Sequence, residues 1–327
     1  MSQYSEDSGY VVAVDVGGTS MKGGVVTRSG EVVATDRRPT GAEGGPENVV
    51  AAIRSFVGDL AARGSSLLGR APAAVGIAVP GLVDDATATA LYAANLGWRD
   101  VPATGLVPLD VPVLLGHDVR TGGLAESVLG AGRELTDFLF LPIGTGIAGA
   151  MIIKGGPYGG TSGWAGEIGH IPVFPEGERC ACGQTGCLET YASAAAVARR
   201  YSARAASPAT AERVAALTAA GDPVAVKVWD DAVEALSLAL ATYTLLLDPS
   251  AIVLGGGLAE AGPLLSDPLA ARLGERLTFR SAPPLRKAAL GVSAGMLGAA
   301  LLGWRAAGVP DARASWALDV PKTSAVP

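Results

Sequence analysis

An α/β chain with two similar halves is what the sequence predicts, and three observations carry that reading. An apolar run, a polar glycine-threonine loop and a second apolar run occupy residues 11 to 27, and the same pattern returns at residues 138 to 153. Segments with helical spacing of apolar residues lie between and after them, so strands and helices alternate along the chain. The 327 residues suffice for about two domains with a sizeable core.

Composition narrows the classes of partner. The net charge is −6 and the basic residues are scattered, which leaves no footprint for nucleic acid. The uncharged runs Ala288 to Trp304 and Ala235 to Leu247 are short for a membrane span and read as buried helices. The first ten residues, MSQYSEDSGY, are polar and acidic with no apolar signal region, so a cytoplasmic protein is expected. Forty-five glycines are about twice ordinary usage and point to tight turns and close backbone approaches to a ligand.

Residues 10 to 16, YVVAVDV, read as a buried strand that turns through Gly17 and Gly18 into a second strand, Gly23 to Thr27. The loop DVGGTSMK gathers Asp15 at the strand end, the amides of Gly17 and Gly18, then Thr19 and Lys22, the parts needed to hold phosphate oxygens and Mg²⁺. A plain glycine hairpin has no use for all three of those side chains. A Walker loop is excluded, because no Gly-Lys pair occurs in the chain. After Pro46 the spacing of Val50, Ile53, Val57 and Leu60 predicts an amphipathic helix over Glu47 to Ala62. Ala73 to Val79 is the next strand and ends in the turn PGLVDD; the loop AANLGW follows, where Asn95 can either bond a sugar hydroxyl or close its own turn.

Pro112 to Gly116 reads as a short strand, which places Asp118 at a strand end and at the start of a helix. Alone, Asp118 reads as an N-cap; between two glycine-rich phosphate loops it becomes the candidate general base. Phe138 to Ile143 is a strand leading into GTGIAG, with Gly144, Thr145 and Gly146 at its head. A dinucleotide fingerprint needs a helix after these glycines, whereas Ala150 to Ile153 is β-type, so a second phosphate hairpin is expected. The protein-kinase glycine loop also lies between strands, but the chain has neither HRD nor DFG.

The scarcest chemistry is concentrated in GEIGHIPVFPEGERCACGQTGCLE, Gly166 to Glu189. It holds all three cysteines and one of the two histidines. His170, Cys180, Cys182 and Cys187 have the number and spacing to close on one tetrahedral Zn²⁺, and a full Cys3His shell is structural rather than catalytic. Glu167 and Glu189 are then free of the metal, either aimed at a ligand or capping helices. A disulfide reading leaves a third thiol over and asks two thiols one residue apart to bridge. Helices follow at Ala192 to Ser202, Thr210 to Ala219 and Val224 to Leu247. The strand Ala251 to Leu254 enters Gly255, Gly256 and Gly257, which either pass close to a nucleotide base or ribose or form a plain turn. Leu290 to Gly303 is a last apolar helix, and residues after Pro310 read as a tail.

DVGGTSMK, PGLVD, the NLxW loop, HD, GTGIAG, GEIGH and CACGQTGCLE occur in an order that resembles the ROK (repressor, open reading frame, kinase) family of sugar kinases, from about Val11 to Gly303. The resemblance implies an actin-like fold of two ribonuclease-H-like lobes, with ATP and sugar meeting in the cleft between them. The lobes are expected at 1 to 117 plus about 294 to 327, and at 118 to 293 with the zinc knuckle. It also implies that Asp118 is the base, that Asn95, Glu167 and Glu189 bind sugar hydroxyls, and that His170 bridges zinc and sugar. The family's usual Asn before the base is His117 here, at a sugar-contacting position, with Val119 and Arg120 in place of an Asn-rich stretch. The paired donor and acceptor of the amide are expected to be lost there. The expected activity is ATP-dependent phosphorylation, at the 6-hydroxyl, of glucose or an N-acetylhexosamine such as N-acetylglucosamine, by a homodimer or homotetramer. Family repressors carry a helix-turn-helix ahead of the first phosphate loop; only fourteen residues precede Asp15, which favours an enzyme over a transcription factor, and Asp118 argues against a regulatory sugar-binding protein without catalysis.

Overall fold

A computed structural model describes residues 9 to 309 and residue 316. The chain divides into two compact units, one of residues up to Leu129, Thr161–Gly163 and from Ser293 onward, the other of Gly130–Gly160 and Trp164–Val292.

The first unit opens with β1 (Tyr10–Val16), β2 (Ser20–Thr27) and β3 (Val32–Pro39), an antiparallel meander, and continues through α1 (Pro46–Leu68) and β4 (Ala74–Val79). β1 and β4 bury almost every side chain, as strands covered on both faces do. Helix α1 starts with Pro46 at its first position and runs six residues past the predicted Ala62. That last stretch buries only Gly64, set against the Tyr10 ring, so it carries no apolar signal. The segment read as turn and loop is instead a small antiparallel sheet of β5 (Leu82–Asp84), β6 (Thr89–Ala93) and β7 (Trp98–Pro102). β8 (Val113–His117) then joins β4 in parallel, and α2 (Asp118–Leu129) follows without an intervening loop.

In the second unit β9 (Phe138–Pro142), β10 (Ala150–Ile153) and β11 (Gly156–Pro157) form another meander. The helices α3 (Glu189–Ala192), α4 (Ala194–Ala205), α5 (Ala211–Ala219) and α6 (Pro223–Leu247) come next. β12 (Ile252–Gly255) pairs in parallel with β9, α7 (Gly256–Ala259) and α8 (Pro263–Arg276) follow, and β13 (Leu285–Lys287) closes the sheet. Strand orders β3-β2-β1-β4-β8 and β11-β10-β9-β12-β13 are the same topology, a meander whose first strand is continued on its free side by two parallel strands. The repeat in the sequence is thus a repeat in the fold. Neither α8 nor β13 was expected: Pro263 and Pro268 obscure the helix, and β13 is three residues long.

The chain ends, among the described residues, with α9 (Ala294–Ala306), which returns to the first unit and packs on β1, β4, β8 and α2. Its glycines allow that close approach. A methyl at Gly298 would meet the Thr121 carbonyl of α2, and one at Gly295 the Asp15 carboxylate. The predicted tail lies outside the described residues except for Trp316, whose ring is buried against Gly30. No helix among the described residues is long and apolar enough to cross a membrane.

Candidate functional site

In the first unit, β1 delivers Asp15 opposite Lys22 of β2, and the intervening turn closes with the Gly17 N–H donating to the Ser20 carbonyl at 3.0 Å. Thr40 braces the turn, its Oγ1 donating to the Gly17 carbonyl at 2.7 Å and its N–H to the Thr19 carbonyl at 3.0 Å. Thr19 is exposed at the tip. Asn95 is exposed on the turn between β6 and β7 and lies beside Gly18, close enough that a methyl there would sit 3.7 Å from its Cβ. The structure therefore brings Asn95 to the first glycine loop, across some eighty residues of sequence.

Asp118 is the first residue of α2, and its Oδ1 accepts the Val119 N–H at 2.6 Å. Burial pushes its carboxyl up to about 6, against the opposing pull of that N–H and of Arg120. The side chain is 32% accessible, so it stands in a recess that substrate can reach. Asp15 is also pushed to about 6, by burial first and by the charge of Asp118 second, with Lys22 opposing. His117, in place of the amide, turns its ring toward the first turn of α2. Its Nδ1 accepts the Arg120 N–H at 3.4 Å, and its Nε2 lies 3.4 Å from Asp118 Oδ1.

In the second unit, Gly144, Thr145 and Gly146 form the turn between β9 and β10, with Thr145 exposed as Thr19 is. Glu189 is tied to this turn from below: its Oε2 accepts the Ile147 N–H at 2.7 Å. Gly255 accepts from the Ile143 N–H at 2.8 Å and the Leu258 N–H returns to the Ile143 carbonyl at 3.1 Å, so Gly255, Gly256 and Gly257 lie against the base of the same turn. The Glu167 segment packs on it too. The Gly149 N–H donates to the Gly166 carbonyl at 2.7 Å, and Gly166, at φ 104°, holds a left-handed conformation where a side chain would strike the Gly149 carbonyl.

The four zinc candidates converge. No two ligand atoms of His170, Cys180, Cys182 and Cys187 are more than 4.8 Å apart. The Cys182 and Cys187 sulfurs are 3.7 Å apart, as are the Cys180 sulfur and His170 Nδ1. A disulfide needs about 2.05 Å, whereas Zn–S bonds of about 2.3 Å in a tetrahedron set the sulfurs about 3.8 Å apart. The donor set and its spacing fit zinc. Cys182 is exposed with its thiol lowered to about 7, chiefly by the Gln184 N–H, while burial pushes the Cys187 thiol up to about 12. With Nδ1 facing the sulfurs, His170 Nε2 faces outward to Glu167 Oε2 at 3.9 Å. Sequence reasoning found these residues but not the tethers, Ile147 to Glu189 and Gly295 to Asp15, which join positions far apart in the chain.

The chain is 34% identical over 316 residues to a glucokinase of Streptomyces coelicolor, spanning 89% of this chain and 96% of that one. It is 32% identical over 304 residues to a kanosamine kinase of Amycolatopsis mediterranei, spanning 91% and 98%. Among solved structures it resembles a ROK family glucokinase of Streptomyces griseus in complex with glucose and AMPPNP, at TM-score 0.77 and 33% identity, covering 91% of this chain and 100% of the other. With the ROK family's own profile matched from residue 11 to residue 305, through both glycine-threonine turns and the cysteine knuckle, this chain belongs to that family.

Proposed function

We propose that the protein is an ATP-dependent sugar kinase that phosphorylates the 6-hydroxyl of glucose or an N-acetylhexosamine such as N-acetylglucosamine. The observation that carries the reading is Asp118, a carboxylate at the head of α2 in reach of solvent and flanked by Asp15. In the reaction the sugar oxygen bonds to the γ-phosphorus as the bond to the β,γ-bridging oxygen breaks, and Asp118 takes the hydroxyl proton. Asp15, Gly17, Gly18, Thr19 and Lys22 hold phosphate oxygens, as do Gly144, Thr145 and Gly146, while Gly255, Gly256 and Gly257 border the nucleoside. Bound at Asp15, Mg²⁺ supplies neutralisation of the phosphate charge. Asn95, Glu167, His170 and Glu189 bind sugar hydroxyls, and the Cys3His set holds a structural Zn²⁺ that fixes His170 in place.

The test is a coupled assay with ATP across glucose, N-acetylglucosamine, N-acetylmannosamine, fructose and allose. Turnover of glucose or of an N-acetylhexosamine is the expected result; no turnover of any sugar would sink the kinase reading. The same reading carries a cytoplasmic homodimer or homotetramer, whose mass in solution light scattering measures.

A further inference from the structure

His117 ends β8 immediately ahead of the proposed base, and its side chain is only 8% accessible. Nδ1 accepts the Arg120 N–H at 3.4 Å, so the ring takes the place of a Ser, Asn or Asp oxygen in capping α2. A nitrogen that accepts carries no hydrogen, and the neutral ring must then carry its proton on Nε2. That atom faces Asp118 Oδ1 at 3.4 Å, and the same oxygen takes the Val119 N–H at 2.6 Å. The Val119 N–H is bonded to Oδ1, and Nε2 faces that same oxygen. Oδ2 is the oxygen left to receive a substrate proton. The spacing at Nε2 is long for a hydrogen bond, as catalytic contacts commonly are before substrate binds.

Arg120 holds the first turn of α2 from its other side. Its guanidinium is 5% accessible and donates to the Gly163 carbonyl at 2.9 Å and the Val83 carbonyl at 3.4 Å, with Asp85 at 3.6 Å. The backbone N–H that selects the tautomer of His117 is thereby fixed in place.

We infer that His117 is a positioning residue for Asp118: the first turn of α2 locks its imidazole in the Nε2–H form, and Nε2–H holds Oδ1 so that Oδ2 meets the sugar hydroxyl. This role rests on the kinase reading above. Neither ring nitrogen is then needed by the sugar itself. Asn at this position offers an acceptor for the Arg120 N–H and a donor for Asp118; Ser can cap the helix but is too short to reach the carboxylate.

The experiment uses the full-length protein with ¹⁵N-labelled histidine. The chain has two histidines, His117 and His170, and loss of one ring signal in His117→Asn assigns the other. Imidazole nitrogen spectra should show His117 as the Nε2–H tautomer with Nδ1 bare. His117→Ser should fold and bind sugar with little change in KM, while kcat falls on the order of 10²-fold, the effect of a reacting group misplaced by about 1 Å. His117→Asn should restore kcat to within about tenfold of wild type. An Nδ1–H tautomer, a Ser variant with wild-type kcat, or an Asn variant no faster than Ser overturns the positioning role in an enzyme that phosphorylates sugar. If Ser does not fold, the tautomer and the Asn variant decide by the same criteria. A protein that phosphorylates no sugar fails at the kinase reading instead and takes this role with it.

Discussion

Asp15 and Asp118 place two carboxylates within electrostatic reach of one another, and burial holds each near 6 where an unfolded carboxyl sits at 3.8. The folded chain therefore binds protons more tightly than the unfolded chain between about pH 4 and 6. Stability of the ligand-free protein falls as pH rises through that window, and the penalty is fully present above it. The proposed catalysis runs the opposite way, because Asp118 must be ionised to act as base: kcat/KM should rise with pH through about 6 and level off above. A stability curve flat between pH 4 and 7, from denaturant titrations, contradicts the shift. Asp118→Asn keeps the shape and an acceptor for the Val119 N–H but removes the basicity. Turnover should fall by about 10² to 10⁴, while the ligand-free fold gains on the order of 1 to 2 kcal/mol, discounted for the solvent around a partly exposed group. Were Asp118 only a helix cap, Asn would serve as well and turnover would survive.

At the scale of elements, Asp118 was legible because a short strand, a helix-starting carboxylate and a glycine pattern coincide in sequence. What the sequence hid was what holds it. α2 is seated on α9 through Gly298, and β1 is set against the same helix through Gly295, contacts made by absent side chains that no periodicity records. The sheet of β5, β6 and β7 was hidden for a different reason: strands of three to five residues are too short to show alternation. Two glycine substitutions separate these effects. In Gly298→Ala the methyl meets the Thr121 backbone, α2 must shift, and a loss of about 1 to 3 kcal/mol is expected together with reduced kcat. In Gly274→Ala, on the exposed face of α8 with nothing within 4 Å, a gain of about 0.4 to 1 kcal/mol is expected at unchanged kcat. Thermal unfolding with kinetics on both variants checks the pair, and an unperturbed Gly298→Ala would mean that α9 does not position α2.

Across the described residues, two clusters of buried apolar side chains stand apart, one around β1, β4 and α1, the other around β9, β12 and α6. The repeat in sequence announced the two halves, but it could not show that Ile168, Leu188, Tyr191 and Ala192, which bracket the cysteine knuckle, belong to the second cluster. The knuckle itself is short of regular structure: between Glu167 and Glu189 it has one 3-10 turn and two isolated β-bridges at the cysteine loop. A zinc ion held by the four side chains, as proposed, would add to that order, since structural zinc in peptides contributes about 10 to 16 kcal/mol of apparent binding energy. Elemental analysis should find one zinc per chain, and Cys187→Ser, which removes a fully buried ligand, should lose it. Removing the metal with a chelator should raise amide exchange first from Ile168 to Ala192, then at the edge of the second cluster that those residues cover. β1, β4 and β8 draw their burial from the other cluster and should keep their protection. Protein that carries no zinc as purified, or whose exchange from Ile168 to Ala192 is unmoved by chelator, would show that the four side chains gather there for some other purpose.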